Sequence, residues 1–198
     1  LLMRGNQKGN KKFIILSVIV MFCIMGLRDA DTIGNDSRTS YKWQYNGMDD
    51  TEWSDLPGWF DFENNPGLPH FMKAVREYTG ADYQTFLAIE SAIIMIAFAH
   101  LLSRYSVSPI QSICYYWGLL FYIFMFSAMK QALAMSILIF AFDAIMDKKP
   151  IRFILLVAIA TLFHFPALIF LPAYWIAQIK MDRTFIILLI IILGITYV

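Results

Sequence analysis

Ionisable residues stand at the ends of, or inside, long apolar runs in this chain. Arg28 closes the run "FIILSVIVMFCIMGL" at 13–27 and is followed by Asp29, Asp31, Gly34 and Asp36. Glu90 sits about two turns into a second run, Lys130 opens a fourth, and His164 lies inside a fifth. A charge within a bilayer costs at least a few kcal/mol, so such residues are functional candidates. Cations suit an anion such as a phosphate. A histidine or carboxylate suits proton transfer. Each also has a plainer reading. Arg28 and Lys130 can snorkel to headgroups, His164 can bond a carbonyl, and Glu90 can be paired or protonated. Counted from Asp29, an EF-hand loop would need a side-chain oxygen at Ile33 and a glutamate at Ser40, so that reading fails. A lone Asp-Ala-Asp at 29–31 is too short to define a metal site. Cys23 and Cys114 have no metal-ligand spacing and read as helix-packing residues. His100 and Asp143, near the other ends of their runs, read as interfacial.

The elements that must position these groups follow from the hydropathy pattern. Hydrophobic residues make up 59% of the 198 residues and charged ones 16%. Globular domains carry roughly 25% charged residues. A spanning helix needs about 20 apolar residues. The expected architecture is an all-α, polytopic membrane bundle in one domain over 1–198. Its spans are expected at 13–27, 83–102, 110–127, 129–146, 153–175 and 184–198. Pro166 and Pro172 interrupt the fifth and suggest a broken or re-entrant passage, which would put Lys180 inside rather than outside. Lys and Arg mark cytoplasmic loops. By that rule the tail 1–12, loop 103–109 and the turn with Lys148, Lys149 and Arg152 face the cytoplasm. Loop 28–82, where acids outnumber bases, faces outward. Within it, Leu68, Phe71, Val75 and Tyr78 have helical spacing, and Gly80 can close that helix. An amphipathic helix over 68–79, lying on the outer surface, is expected. Trp43, Trp53 and Trp59 read as interface anchors, with sugar stacking as the other use. No small-residue cleavage site follows the first run. The tail reads as a loop after an earlier helix and the last run stops without an end, so the chain is expected to be a fragment.

A series of short motifs then resembles the EpsG family, relatives of Wzy-type polysaccharide polymerases. Arg28 ends a helix and is followed by Gly34-Asn35-Asp36 and Tyr41. Glu63 precedes a glycine and an amphipathic helix in "FENNPGL". "RYSVSPIQS" follows the next span. "KQALA" at 130–134 stands where the family has Arg-Gln-x-Leu-Ala. "LFHFPALIFLPAY" supplies Phe-His and a Pro- and Tyr-containing helix end. Lys130 replaces the family arginine, losing the planar fork that suits phosphate. Phe165 and Pro166 stand where Ser or Thr often follows Phe-His.

The resemblance implies a GT-C-like or Wzy-like bundle in the bacterial inner membrane. Its activity would be exopolysaccharide or capsule polymerisation, with polyprenyl-diphosphate-linked oligosaccharide as substrate and other polysaccharide-assembly proteins as partners. No cofactor, metal or nucleic acid is implied. It assigns Arg28 and Lys130 to the diphosphate and His164 to proton transfer, with Asp36 and Glu63 as further candidates for the base. Asp36, Glu63, Gln131 and Tyr41 would contact substrate. A non-enzymatic transporter or flippase component for the same glycolipids is the alternative. A structural membrane subunit would need none of the outer charges.

Overall fold

The computed structural model describes residues 7–179. The expected span 184–198, Lys180, Arg183 and Arg4 lie outside them. Among the described residues every regular element is helical.

The chain opens with α1 (Gln7–Gly26). Loop residues lead to a π-helical turn (Ser37–Tyr41) that runs directly into α2 (Lys42–Asn46). Short 3-10 turns at Gly47–Asp49, Trp53–Asp55 and Phe62–Asn64 follow. Then come α3 (Gly67–Thr79) and α4 (Tyr83–Tyr105). Gly80, at φ 64°, ends α3 in the left-handed conformation that glycine adopts without strain. Two residues on, the Asp82 carboxylate caps α4 by accepting from the Thr85 amide at 2.8 Å.

Two of the expected spans are broken, the fifth where its prolines suggested and the third without such an expectation. Residues 110–127 form α5 (Pro109–Gly118) and α6 (Phe121–Phe124), with Leu120 at φ 62° between them. Residues 153–175 form three pieces. α8 (Pro150–Phe163) stops at His164, a 3-10 turn covers Phe165–Phe170, and α9 (Ala173–Ile176) follows. Pro166 and Pro172 lack the amide a continuing helix would need. Between the broken runs lies α7 (Met129–Met146). α4 and α7 are each long and apolar enough to cross a membrane.

Packing divides the molecule along these helices. Toward one end, Met25, Ile94, Met95, Tyr122, Met125 and Ala132 join α1, α4, α6 and α7. α7 and α8 meet through Ala141, Ala144, Ile145, Phe153 and Val157, where small residues let the backbones approach. Ile15, Leu16, Ile19, Val20 and Ile24 leave a wide apolar stripe of α1 uncovered. A patch of that extent marks contact with lipid or protein.

Loop 28–82 is folded onto one end of the helices. Tyr45, Met48, Leu68, Met72 and Val75 pack with Tyr83, Phe86 and Leu87 of α4 and Met129 and Leu133 of α7. This revises the reading of α3 as a surface-lying helix. Its apolar face is buried against the protein, while Tyr78 points away, 77% exposed. Trp53 donates to Glu77 at 2.9 Å, and the Trp59 and His70 rings lie 4.0 Å apart. Both tryptophans therefore pack against α3, and Trp43 alone of the three extends fully exposed.

Candidate functional site

The end of α1 anchors the loop. Arg28 is 4% exposed. Its NH1 group donates to the Met25 carbonyl at 2.6 Å, and NH2 reaches Ser37 Oγ and the Phe126 carbonyl, each at 3.3 Å. The guanidinium also lies over the Phe126 ring, 5.2 Å from its centroid. Ser37 Oγ donates to the same carbonyl, and the Asn35 amide donates to Ser127 Oγ at 2.9 Å. Gly34 makes this closure possible. It sits at φ 91°, and a Cβ there would run into the Phe126 carbonyl and Ser37 Oγ. The stretch 28–37 is therefore a clasp on the residues that lead into α7. Arg28 spends NH1 and NH2 on protein oxygens, so it braces the clasp and offers little to a ligand.

The clasp positions the first turn of α7. The Lys130 backbone amide faces the Tyr41 hydroxyl, which burial, and secondarily the Asp36 charge, pushes above its usual pKa. Lys130 is half-buried. Its ammonium is within electrostatic reach of the His164 ring. Neither an ion pair nor a side-chain hydrogen bond engages that ammonium among the described residues. Gln131, next on α7, is half-buried on another side of the helix.

His164 ends α8 in extended backbone, φ −152° and ψ 106°. Its amide donates to the Ala160 carbonyl at 3.0 Å, and its carbonyl accepts from Ala167 at 2.9 Å. The backbone is thus held while the ring stays half-buried. The loop reaches the same place from the other side. Asn65 Oδ1 accepts from the Phe165 amide at 3.0 Å, and the Phe62 and Phe165 rings lie 6.0 Å apart. Gly67 presses on Leu162 and Phe163, where a Cβ would approach to 3.0 Å. Glu63, two residues before Asn65, is exposed beside this junction, and Asp36 is exposed on the clasp.

The structure thus brings Tyr41, Lys130 and His164 to one end of the bundle, with the segments of Asp36 and Glu63 folded against it. Arg28 lies beneath. Glu90, on α4, is deeper still and has 0% exposure. It is within electrostatic reach of Arg28 and Tyr41. Neither carboxylate oxygen has a hydrogen-bond partner among the described residues, nor do Ser91 Oγ and Arg28 Nε. A guanidinium and a carboxyl group, both removed from water, therefore stand close without a hydrogen bond between them.

One cluster escaped the sequence reading. Asp143, expected as interfacial, is 2% exposed. It accepts from the Tyr105 hydroxyl at 2.6 Å and pairs with His100 Nε2 at 2.6 Å and Arg104 at 3.4 Å. Arg104 also donates to Asp147 at 2.8 Å. The signal was opposite polarity at matching positions near the ends of two apolar runs. The Phe126 carbonyl offered no such signal, because a backbone acceptor has no residue type. Among the described residues no group of His, Cys, Asp and Glu is gathered for a metal ion.

A helical protein with two helices long and apolar enough to cross a membrane, in which a polar loop closes one end of an apolar bundle over a lysine and a histidine, is the class these observations define among the described residues. The EpsG family model matches residues 11–198, and the chain belongs to the EpsG family. No curated protein and no solved structure matches it.

Proposed function

We propose that this protein is a glycosyltransferase of the polysaccharide polymerase kind. It crosses the bacterial plasma membrane several times and joins polyprenyl-diphosphate-linked repeat units at the extracytoplasmic face. The observation that carries this is the convergence of Lys130 and His164 under the folded loop. The acceptor hydroxyl oxygen attacks the anomeric carbon of the donor. The bond from that carbon to the diphosphate oxygen breaks, and the electron pair leaves with the diphosphate. Lys130, at the N-terminal end of α7, stabilises that charge, helped by the helix dipole. The neutral His164 ring takes the hydroxyl proton. Tyr41 orders the first turn of α7, Arg28 braces the clasp, and Asp36, Glu63 and Gln131 border the sugar and diphosphate.

The test is made in the full-length protein. Lys130→Ala should lower polymer output by about 10²–10³-fold, as for loss of one charge-stabilising donor. His164→Ala should lower it by about 10²–10⁴-fold. Lys130→Arg should keep activity. Both alanine variants should remain in the membrane at normal abundance. Wild-type polymer from both would overturn the reading. In cells lacking the protein, single repeat units should accumulate on the outer face. Accumulation inside would instead identify a flippase component.

A further inference from the structure

Four buried polar atoms beneath the clasp have no hydrogen-bond partner among the described residues: Arg28 Nε, both Glu90 oxygens and Ser91 Oγ. The chemistry proposed above uses none of them. A buried polar group without a bond is costly, so each calls for a cause. Their residues gather where the end of α1 packs on α4. The Gly26 carbonyl, two residues before Arg28, accepts from Gln84 Nε2 at 3.1 Å, and a Cβ on Gly26 would come within 3.3 Å of the Ser91 Cβ. Arg28 and Glu90 are 4% and 0% exposed and within electrostatic reach of each other.

The bonds that hold Arg28 are unequal. NH1 is anchored on the Met25 carbonyl, at the end of its own helix, at 2.6 Å. NH2 reaches its two clasp partners only at 3.3 Å, beyond the usual range of about 2.7–3.2 Å. The Phe126 carbonyl does not depend on it, because Ser37 Oγ donates there as well. Withdrawing NH2 therefore leaves no clasp oxygen unbonded. It gives up only those two long bonds and the contact with the Phe126 ring, 5.2 Å from its centroid. Turned toward α4 instead, with the Met25 bond as pivot, the guanidinium would meet the Glu90 carboxylate. A charge-assisted bond of that kind is roughly twice as strong as one between neutral groups. Ser91 Oγ adds a second acceptor beside it. The two positions of this one side chain are thus closely balanced.

We infer that Arg28 is a two-position latch: on Ser37 and the Phe126 carbonyl it shuts the clasp, and on Glu90 it lets the clasp open. Once NH2 has left, two neutral hydrogen bonds hold the clasp, from Ser37 to Phe126 and from the Asn35 amide to Ser127. The second is exposed, and water competes for it. Opening frees the residues that lead into α7, and with them the turn that carries Lys130. Glu90 is therefore a positioning residue that acts on Lys130 through Arg28. The latch does not depend on which substrate the site takes.

The test uses the full-length protein in phospholipid nanodiscs, with Cys23→Ala, Cys114→Ala and one reporter in the clasp, Ala30→Cys. Ala30 is 7% exposed, so a water-soluble maleimide reaches that position through opening, and the alkylation rate reports how often the clasp is open. Well below the melting temperature, this reporter should react about tenfold faster than Met72→Cys, a 0% exposed position on the inner face of α3. Glu90→Gln keeps an acceptor oxygen and loses the charge, and should slow the Ala30 reporter about tenfold. Glu90→Asp, which keeps the charge, should recover part of the rate. Ser37→Ala should quicken it. A static brace has the opposite sign, because losing Glu90 would then loosen the clasp. Unchanged or faster alkylation with Glu90→Gln would overturn the latch. Should Glu90→Gln not fold, the two reporters decide with Arg28 and Glu90 intact: equal rates would show that the clasp does not open by itself, and the latch would fall.

Discussion

Arg28 and Glu90 make the sharpest case at the scale of single residues. Each was legible as a charge in an apolar run, since ionisable groups are expensive there. What sequence could not convey was that Arg28 spends its NH groups on the Met25 and Phe126 carbonyls and on Ser37. Partner carbonyls carry no signature. Glu90 is left fully buried, within reach of Arg28 and without a bonded partner. Removing one member of a buried pair leaves an uncompensated charge and costs about 3–5 kcal/mol, whereas replacing both with apolar residues is often neutral. Glu90→Leu alone should therefore sharply lower the membrane abundance and melting temperature of the full-length protein in detergent. Adding Arg28→Met should recover part of both, though not all, because the clasp also depends on Arg28. Losses that simply add would show that the charges are uncoupled.

Among the elements, the long ones were readable and the breaks were only half so. α4 and α7 follow from length and hydropathy, and α3 from its apolar spacing and Gly80. The end of α8 was foreshadowed by Pro166, which removes a helix amide. The break at Leu120 was only faintly signalled, by Gly118 at the end of α5, because Leu120 itself takes the positive φ; Tyr122 just after it is held by the Met21 carbonyl. Loop 28–82, read as an outward-facing loop carrying an amphipathic helix, is a folded cap with that helix packed on the bundle. Arg76 holds it by donating to both Asp49 oxygens, at 2.7 and 2.5 Å, and to the Ala81 carbonyl at 2.9 Å. The Arg76 hydrogen bonds keep the Asp49 carboxyl below its usual pKa. Asp82, capping α4, is lowered as well, chiefly by Thr85. A carboxyl lowered in the folded state contributes stability above its unfolded pKa and loses it as pH falls through the lowered value. The cap should thus be resistant to protease near neutral pH and become susceptible below about pH 4, where carboxylates begin to protonate. Limited digestion across pH should show Asp49→Asn already loosened at neutral pH and less sensitive to acid. A variant with an unchanged acid profile would remove Asp49 from this role.

For the whole molecule, polarity separates the two ends of the bundle. The loop end carries Lys130, His164 and the acid-rich cap. The opposite end carries the Asp143 cluster with Arg104, and Lys149 lies 3.6 Å from Asp147. α4 and α7 run in the same direction, since Tyr83 packs with Met129 at one end and His100 pairs with Asp143 at the other. That pairing was hidden in the sequence, because it depends on how each helix is rotated about its axis. The charge asymmetry was visible, because basic residues collect in particular short segments. Positive segments stay in the cytoplasm, so the cap should face outward, as the proposed use of lipid-linked sugars requires. Cysteine labelling decides it in a full-length protein with Cys23→Ala and Cys114→Ala. Asp50→Cys, in the cap, should react with an impermeant maleimide on intact cells. Lys149→Cys, between α7 and α8, should react only after permeabilisation. The reverse pattern would put Lys130 and His164 at the cytoplasmic face, where extracytoplasmic repeat units never meet them, and the polymerase reading would fall with it.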